Sequence, residues 1–436
     1  MITADHEETA PAVNRIDGTA RLILGTVVSN GGDAAILHAQ LTLLERALGT
    51  ARTTIEDNDP VLARQLFPEV GVVEPGRVAD AAWRAAALLG RAEQPTLQRV
   101  TRRLARRDLP ALARRAANAS LDRVLADNPL VFYTGGTSLI EQYDLDAKFR
   151  NLLRTLEKGR PLVLLPQSVG PFTTSTNIHA MTEVVAGSSL VLLRDERSRR
   201  HLEQIGADLS KVRVVPDIVF CLAGPDDVAR LGRASIPEFG ANVALGIRDC
   251  RKFFATEDRD AAQAALERRY AELATHLVRE RGAQVTFVST CQGIERYWTD
   301  DSRVAVAVSD LLPDDVRAHC VVDRGFHDTE DLRAVLAKQD LVVANRLHGA
   351  ILTLSVGVPV VPVEYEFKTR EVFRQLEQEE AVYSIDDVTR DSLVGHVEAF
   401  VGQWEINRAA ASVAFESVVR RAWDTGGVIR RSVTTS

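Results

Sequence analysis

Nine short runs of consecutive apolar, mostly β-branched residues punctuate this chain, and they limit its fold more than any other feature. Runs such as LVLL at Leu190–Leu193 and LVVA at Leu341–Ala344 are apolar on successive rather than alternate positions. That is the pattern of strands covered on both faces, hence of a parallel sheet wrapped by helices. In the first half the predicted strands are Arg21–Val28, Leu130–Tyr133, Leu162–Leu165, Leu190–Leu193 and Val212–Val215. In the second half they are Val243–Ile247, Gln284–Val288, Leu341–Ala344 and Val358–Val363. Each is followed by a loop and a helical pattern. Strand-helix alternation sustained through both halves predicts two doubly wound α/β domains.

The segment Ala223–Ala241, with two Pro, three Gly and no strand pattern, marks the expected boundary. The expected organisation is therefore a flexible N-terminus over 1–20, an N-terminal Rossmann-like domain over 21–225 and a C-terminal one over 240–395. A closing helix and tail follow over 396–436, its strongest part Val397–Trp423, able to cross back onto the first domain. The last residues, RRSVTTS, read as a frayed tail. Between Val78 and Asp127 the chain becomes rich in Ala, Leu and Arg at helical spacing, interrupted at Pro95 and Pro110. This reads as a helical insertion with a solvated basic face; the alternative is a surface for a lipid-phosphate-linked or anionic glycan.

Composition removes several function classes. A net charge of -7 gives no global attraction to nucleic acid or anionic lipid. Only six of the 53 basic residues are lysine; with so many alanines this is the pattern of a codon bias, so arginine abundance by itself signals nothing. Cys221, Cys250, Cys291 and Cys320 form no CxxC pair, so neither a zinc site nor a disulfide framework follows. The first twenty residues contain no apolar core of a leader, and no stretch is long enough to span a bilayer. A cytoplasmic protein is expected, in peripheral contact with the inner face of the membrane if the basic insertion meets lipid.

In open parallel sheets ligands bind beyond the carboxyl ends of the strands, so the loops there carry the candidates. The first strand runs into Ser29-Asn30-Gly31-Gly32-Asp33. Its glycines allow close approach of backbone to ligand, and Asp33 is placed to cap the following helix, whose N-terminus suits an anion. The spacing is not GxGxxG, so no dinucleotide cofactor is implied. The second strand ends in Thr134-Gly135-Gly136-Thr137-Ser138, a phosphate- or sugar-contact pattern, and the third in Gln167 and Ser168 before Gly170-Pro171. Arg194 ends a buried strand, where it either grips a carboxylate or phosphate in a bidentate pair or forms an ion pair with Asp195 or Asp217.

In the second half Arg248 again ends a strand. The cluster Asn345-Arg346-Leu347-His348-Gly349 follows another, with His348 at or just inside a helix N-terminus. Glu364 and Lys368, after the last strand, supply a charged rim. There is no GxSxG, HExxH, Walker loop or pair of carboxylates at metal-ligand spacing.

The ordered set SNGGDAAI, YTGGTSLI, LPQSVGPF, RDERS, PDIVF and RLHGAILTLSVGVPVVPV, spread from about Leu22 to about Leu376, resembles the polysaccharide pyruvyl transferase family. The resemblance implies a two-lobed fold like that of GT-B glycosyltransferases and transfer of a pyruvyl group from phosphoenolpyruvate to hydroxyls of a glycan or lipid-linked sugar. It assigns catalysis and donor binding to His348, Arg346 and Arg194. Gly31 occupies a variable position of the family's Asn-x-Gly-Asp turn, and the helical insertion is long. The chemistry suits these residues: a donor bearing carboxylate and phosphate needs planar cationic clamps, and ketal formation needs a group that gives and takes a proton. No redox step, cofactor or metal is required. The rival readings are a nucleotide-sugar glycosyltransferase of cell-envelope synthesis on the same architecture, and a catalytically silent glycan-binding relative.

Overall fold

The computed structural model describes residues 19–74, 109–292, 299–388 and 392–434. Two sheets carry the fold. The first comprises β1 (Arg21–Thr26), β2 (Thr53–Asp57), β3 (Gly71–Val73), β4 (Leu130–Tyr133), β5 (Gly136–Leu139), β6 (Leu162–Val169), β7 (Leu190–Leu193) and β8 (Val212–Val214). Its order is β3-β2-β1-β4-β6-β7-β8, with β5 paired to β6. The second comprises β9 (Asn242–Gly246), β10 (Gln284–Phe287), β11 (Cys320–Val322), β12 (Leu341–Ala344), β13 (Val360–Glu364) and β14 (Tyr383–Ser384), in the order β11-β10-β9-β12-β13-β14. The described ladders are all parallel. Every residue of β4, β6, β7 and β12 is buried, as continuous apolar runs require.

Strand order fixes where ligands can go. In the first sheet the winding reverses between β1 and β4, in the second between β9 and β12. A crevice opens at each such switch point, beyond the strand ends. The loops concerned are those that begin at Val27, Thr134, Ile247 and Asn345.

The structure adds strands that sequence pattern did not indicate: β2, β3, β5, β11 and β14. They are short, and β2 (TTIED) and β5 (GTSL) each carry a single large apolar residue. Strand β6 runs four residues past Leu165 through Pro166, a residue that breaks most strand patterns. Its register with β7 shifts between Leu164 and Gln167, and such a bulge accommodates a proline that cannot donate to the ladder. Pro110, expected to interrupt the helical pattern, lies within the helix described over Leu109–Asp127. The rest of the Arg-rich insertion, 78–108, falls outside the described residues, as do residues 1–18 of the expected flexible N-terminus.

The C-terminal helix is longer than its apolar pattern, spanning Leu393–Thr434. Its first turns join the core of the second sheet through Leu393 and Val397, and Glu398 pairs with His276 at 2.8 Å and with Arg281. Further along it packs on the first lobe, where Phe415 meets Phe220 with ring centroids 6.0 Å apart. The expected fraying of RRSVTTS does not occur up to Thr434: Ile429 is fully buried and Arg430 Nε donates to Ala47 O at 2.7 Å. One apolar cluster runs continuously across both lobes, including Ile23, Leu37, Ala244 and Ile351.

Candidate active site

The first switch-point loop is held by its asparagine. Asn30 is the N-cap of the helix Gly31–Leu48, its side chain accepting from Gly32 N at 2.9 Å. Asp33 is therefore not the cap, as its position in the sequence had implied; it stands in the first turn, free of that duty. Gly31 donates its N–H to Thr290 O of the second lobe at 3.1 Å. A Cβ on Gly31 would lie 2.4 Å from that oxygen, and one on Gly32 would lie 2.7 Å from Nδ1 of His348. Both glycines are places where the second lobe comes flush against the first, which explains the extra glycine in the turn.

The second loop needs its glycines for the same kind of reason. A Cβ on Gly135 would lie 2.5 Å from Pro166 O, and Gly136 has φ +103°. The turn delivers Thr137, whose hydroxyl accepts from Arg194 Nη2 at 2.5 Å.

Arg194 lies beneath the site rather than in it. Its side chain is fully buried and saturated: Nε donates to Ser168 Oγ at 2.9 Å and Nη1 to Asp217 at 2.7 Å. Nη1 also sits 3.3 Å from Nε2 of His348, whose Nε2 is 3.6 Å from Asp217. Burial pushes the Asp217 carboxyl up, but His348 and the Arg194 guanidinium outweigh it and hold it well below the usual carboxylate range. Of the two readings expected for Arg194, the ion pair with Asp217 is the one present; its guanidinium touches the imidazole and does not line the cleft as a direct anion clamp would.

Ser168 is likewise buried; besides accepting from Arg194 it donates to Asp195 at 2.6 Å. Gln167 is fully buried, and neither side-chain atom finds a partner among the described residues. Asn345 is also fully buried, donating to Val363 O at 3.0 Å and accepting from Cys250 Sγ at 3.2 Å. It staples strand-end loops together. Glu364 pairs with Arg370, its Oε1 accepting from Nε at 2.8 Å. None of these four lines the cleft, nor do Gly31 and Gly136.

What does line it is a cavity of about 480 Å³ between the lobes, reached by Asn30, Gly32, Asp33, Gly135, Thr137, Arg248, Arg346, His348 and Lys368 of the expected set. The second-lobe wall is cationic. Arg346 makes a bidentate pair with Asp301, 2.5 and 2.7 Å, leaving its Nη1 without a partner among the described residues. Arg248 is 4% exposed and lies over the rings of Phe253 and Tyr365, 4.8 and 4.3 Å from their centroids. Its guanidinium makes no hydrogen bond or ion pair with any described residue, and its buried Nε is unsatisfied. Lys368 contacts Glu366 at 2.5 Å. His348, the second residue of the helix Leu347–Leu354, stands between this wall and the first lobe.

The first-lobe wall is of another character: carboxyls, hydroxyls and amides beside aromatic surface. Tyr133 and Ser138 share a hydrogen bond of 2.8 Å, Lys148 Nζ donates to Ser138 O at 2.7 Å, and Asn151 donates to Glu56 at 3.2 Å. Burial pushes the Glu56 carboxyl up to about 7 and the Lys148 ammonium down. Glu56, Lys148, Asn151, Thr290, Asp301 and Tyr365 were not foreseen. Glu56 sits on a strand too polar to show, and Lys148 and Asn151 on a helix far from any glycine-marked loop. Tyr365 alone carried a signal, directly following β13. Among the described residues no three His, Cys, Asp or Glu side chains come together as a metal site.

Two parallel, helix-wrapped sheets facing each other across a ligand cleft define the GT-B architecture, and solved structures of that class superpose on this chain. HepE from Anabaena, solved with UDP-glucose, aligns with 95% of this chain and 99% of its own at TM-score 0.57 and 14% identity. Trehalose 6-phosphate synthase from Burkholderia multivorans aligns over 96% and 99% at TM-score 0.55 and 12% identity. UDP-GlcNAc 2-epimerase from Neisseria meningitidis aligns over 96% and 100% at 0.54 and 12%.

Within that class, residues 30–366 match the Polysaccharide pyruvyl transferase family, and the chain belongs to it. It is also 26% identical over 280 residues to the amylovoran biosynthesis protein AmsJ of Erwinia amylovora, a match spanning 63% of this chain and 66% of AmsJ. The family's description is that of a transferase acting on polysaccharides. No helix among the described residues is long and apolar enough to cross a membrane.

Proposed function

We propose that this protein transfers the pyruvyl group of phosphoenolpyruvate to two hydroxyls of a saccharide or lipid-linked saccharide, forming a ketal, with no further cofactor. The observation that carries the reading is Arg248: a buried cation at a cleft wall, held by two aromatic faces and supplied with no anion by the described residues. Desolvating a guanidinium without a counter-charge is costly, so its natural partner is an anionic ligand. Arg346 adds a second guanidinium edge and Lys368 a third positive charge, which suits a small donor carrying both carboxylate and phosphate. The acceptor faces the opposite wall, where the hydroxyls, amides and aromatic surface around Tyr133, Tyr143 and Asn151 match a sugar.

In this reading His348, seated by Arg194 and Asp217, gives a proton to the methylene carbon of phosphoenolpyruvate as an acceptor hydroxyl attacks the adjacent carbon. The cationic wall stabilises the charge on the departing phosphate. A glycosyltransferase using a nucleotide sugar, as the UDP-glucose in HepE invites, remains a reading of the fold alone.

The test is direct. Thermal stabilisation is measured with phosphoenolpyruvate and with a panel of nucleotide sugars. Labelled phosphoenolpyruvate is then incubated with an envelope-precursor fraction in D2O. The proposal expects stabilisation by phosphoenolpyruvate and a ketal whose methyl group carries one deuterium. Stabilisation by nucleotide sugars only, with no pyruvylated product, refutes it.

A further inference from the structure

Resting on that reading, we infer that Asp33 is the second proton-handling group of the reaction, the base that takes the proton of the first attacking hydroxyl. Its side chain lines the cleft and makes no hydrogen bond or ion pair with any described residue. Asn30 has taken over the capping of its helix, so nothing in the local fold employs the carboxylate. It is walled in: a Cβ on Gly136 would lie 3.4 Å from Asp33 Oδ1, and the preceding residue, Gly32, abuts the imidazole of His348. Asp33 thus follows directly on the glycine that abuts His348, and both side chains line the same cleft. Burial pushes its carboxyl up and outweighs the pull of His348, Lys368, Arg194 and Arg346, so it holds a proton more readily than an ordinary carboxylate.

An addition in which carbon protonation and hydroxyl attack coincide calls for a second proton-handling group. The acceptor loses two protons; one goes to the methylene carbon and the other leaves with phosphate. A single imidazole cannot deliver a proton to the carbon and receive one from the hydroxyl in the same step. With two groups the cycle closes. In the first step protonated His348 gives its proton to the methylene carbon, the first hydroxyl oxygen bonds to the adjacent carbon, and Asp33 takes the hydroxyl proton. In the second the carbon–oxygen bond to phosphate breaks and Asp33 returns its proton to the phosphate. The second hydroxyl then bonds to the same carbon and gives its proton to His348. Both groups end as they began.

The experiment compares wild type, Asp33→Asn and Asp33→Ala with labelled phosphoenolpyruvate and two acceptor sources, an envelope-precursor fraction and a set of p-nitrophenyl hexosides. Thermal stabilisation by phosphoenolpyruvate is followed in parallel. The expected result is a fall in kcat of about 100-fold or more in both variants, with KM for phosphoenolpyruvate and its thermal stabilisation close to wild type. Added formate should restore part of the Asp33→Ala rate, and chloride at equal ionic strength should not. Turnover unchanged in Asp33→Asn overturns the inference, as does a loss that formate cannot restore or one accompanied by lost binding of phosphoenolpyruvate. Wild type that forms no ketal refutes the donor assignment itself, and the inference with it, so the two failures are told apart by the control.

Discussion

Replacing Asp217 with asparagine should unfold the protein far more easily than its single-atom change suggests. Arg194 is fully buried and Asp217 is 1% exposed, with 2.7 Å between Nη1 and Oδ2. At an effective dielectric of about 20, unit charges at that distance attract by about 6 kcal/mol. This attraction offsets the desolvation of both ions, so the intact pair contributes little net stability, but removing one partner leaves an uncompensated buried cation. The hydrogen bond goes with the charge. An asparagine that keeps its oxygen as the acceptor for Val219 N, now 3.0 Å from Oδ1, turns an amide N–H donor toward Arg194 Nη1, which then loses its acceptor. The expected loss is about 3–5 kcal/mol, what breaking a buried pair costs.

The assay is the urea midpoint at constant m, followed by intrinsic fluorescence. The double variant Arg194→Met with Asp217→Asn removes both charges and should be more stable than Asp217→Asn alone. A pH series adds a second check. The Asp217 carboxyl is depressed in the folded protein, so its contribution is present above its ordinary value of 3.8 and is lost as pH falls toward the folded value. The gap between wild type and Asp217→Asn should narrow in acid below about pH 4. A loss under about 1 kcal/mol at neutral pH, or a double variant weaker than the single one, would refute the reasoning.

Gly32→Ala puts a Cβ 2.7 Å from His348 Nδ1; the imidazole must move, and kcat for ketal formation should fall about 100-fold while the urea midpoint changes little. Arg248→Met keeps bulk between Phe253 and Tyr365 but removes the charge, so thermal stabilisation by phosphoenolpyruvate should disappear while the unliganded protein becomes no less stable. Arg248→Lys should not restore it, because an ammonium lacks the planar fork. For Glu56, whose carboxyl burial lifts from 4.5 to about 7, the folded state holds a proton that the unfolded chain releases. Stability should fall as pH rises from about 4.5 to about 7, by on the order of 3 kcal/mol if this group acts alone, and Glu56→Gln should flatten that limb of the pH-stability curve.

Several features of this protein were written in the order of its residues. Consecutive apolar runs give strands buried on both faces, and the runs at Leu130–Tyr133, Leu190–Leu193 and Leu341–Ala344 coincide with β4, β7 and β12. The loops that follow strands announced the cleft, because in a parallel sheet all strand ends lie on one edge; Asn30, Arg248, Arg346, His348 and Lys368 reach it from there. What strand-end position cannot say is which way a side chain turns or what it meets. Arg194 and Arg248 look alike in sequence, each an arginine after an apolar run, yet Asp217 and Ser168 claim the first while two aromatic rings leave the second uncompensated. Of the residues that make the difference, Ser168, Asp217 and Tyr365 are distant along the chain. So is the wall of Glu56, Lys148 and Asn151, which comes from a polar strand and a helix that carry no local mark of a site. The glycines of Gly31-Gly32 belong to both accounts: the sequence placed a permissive turn there, and only the packing of the two lobes shows that Thr290 and His348 leave no space for a side chain.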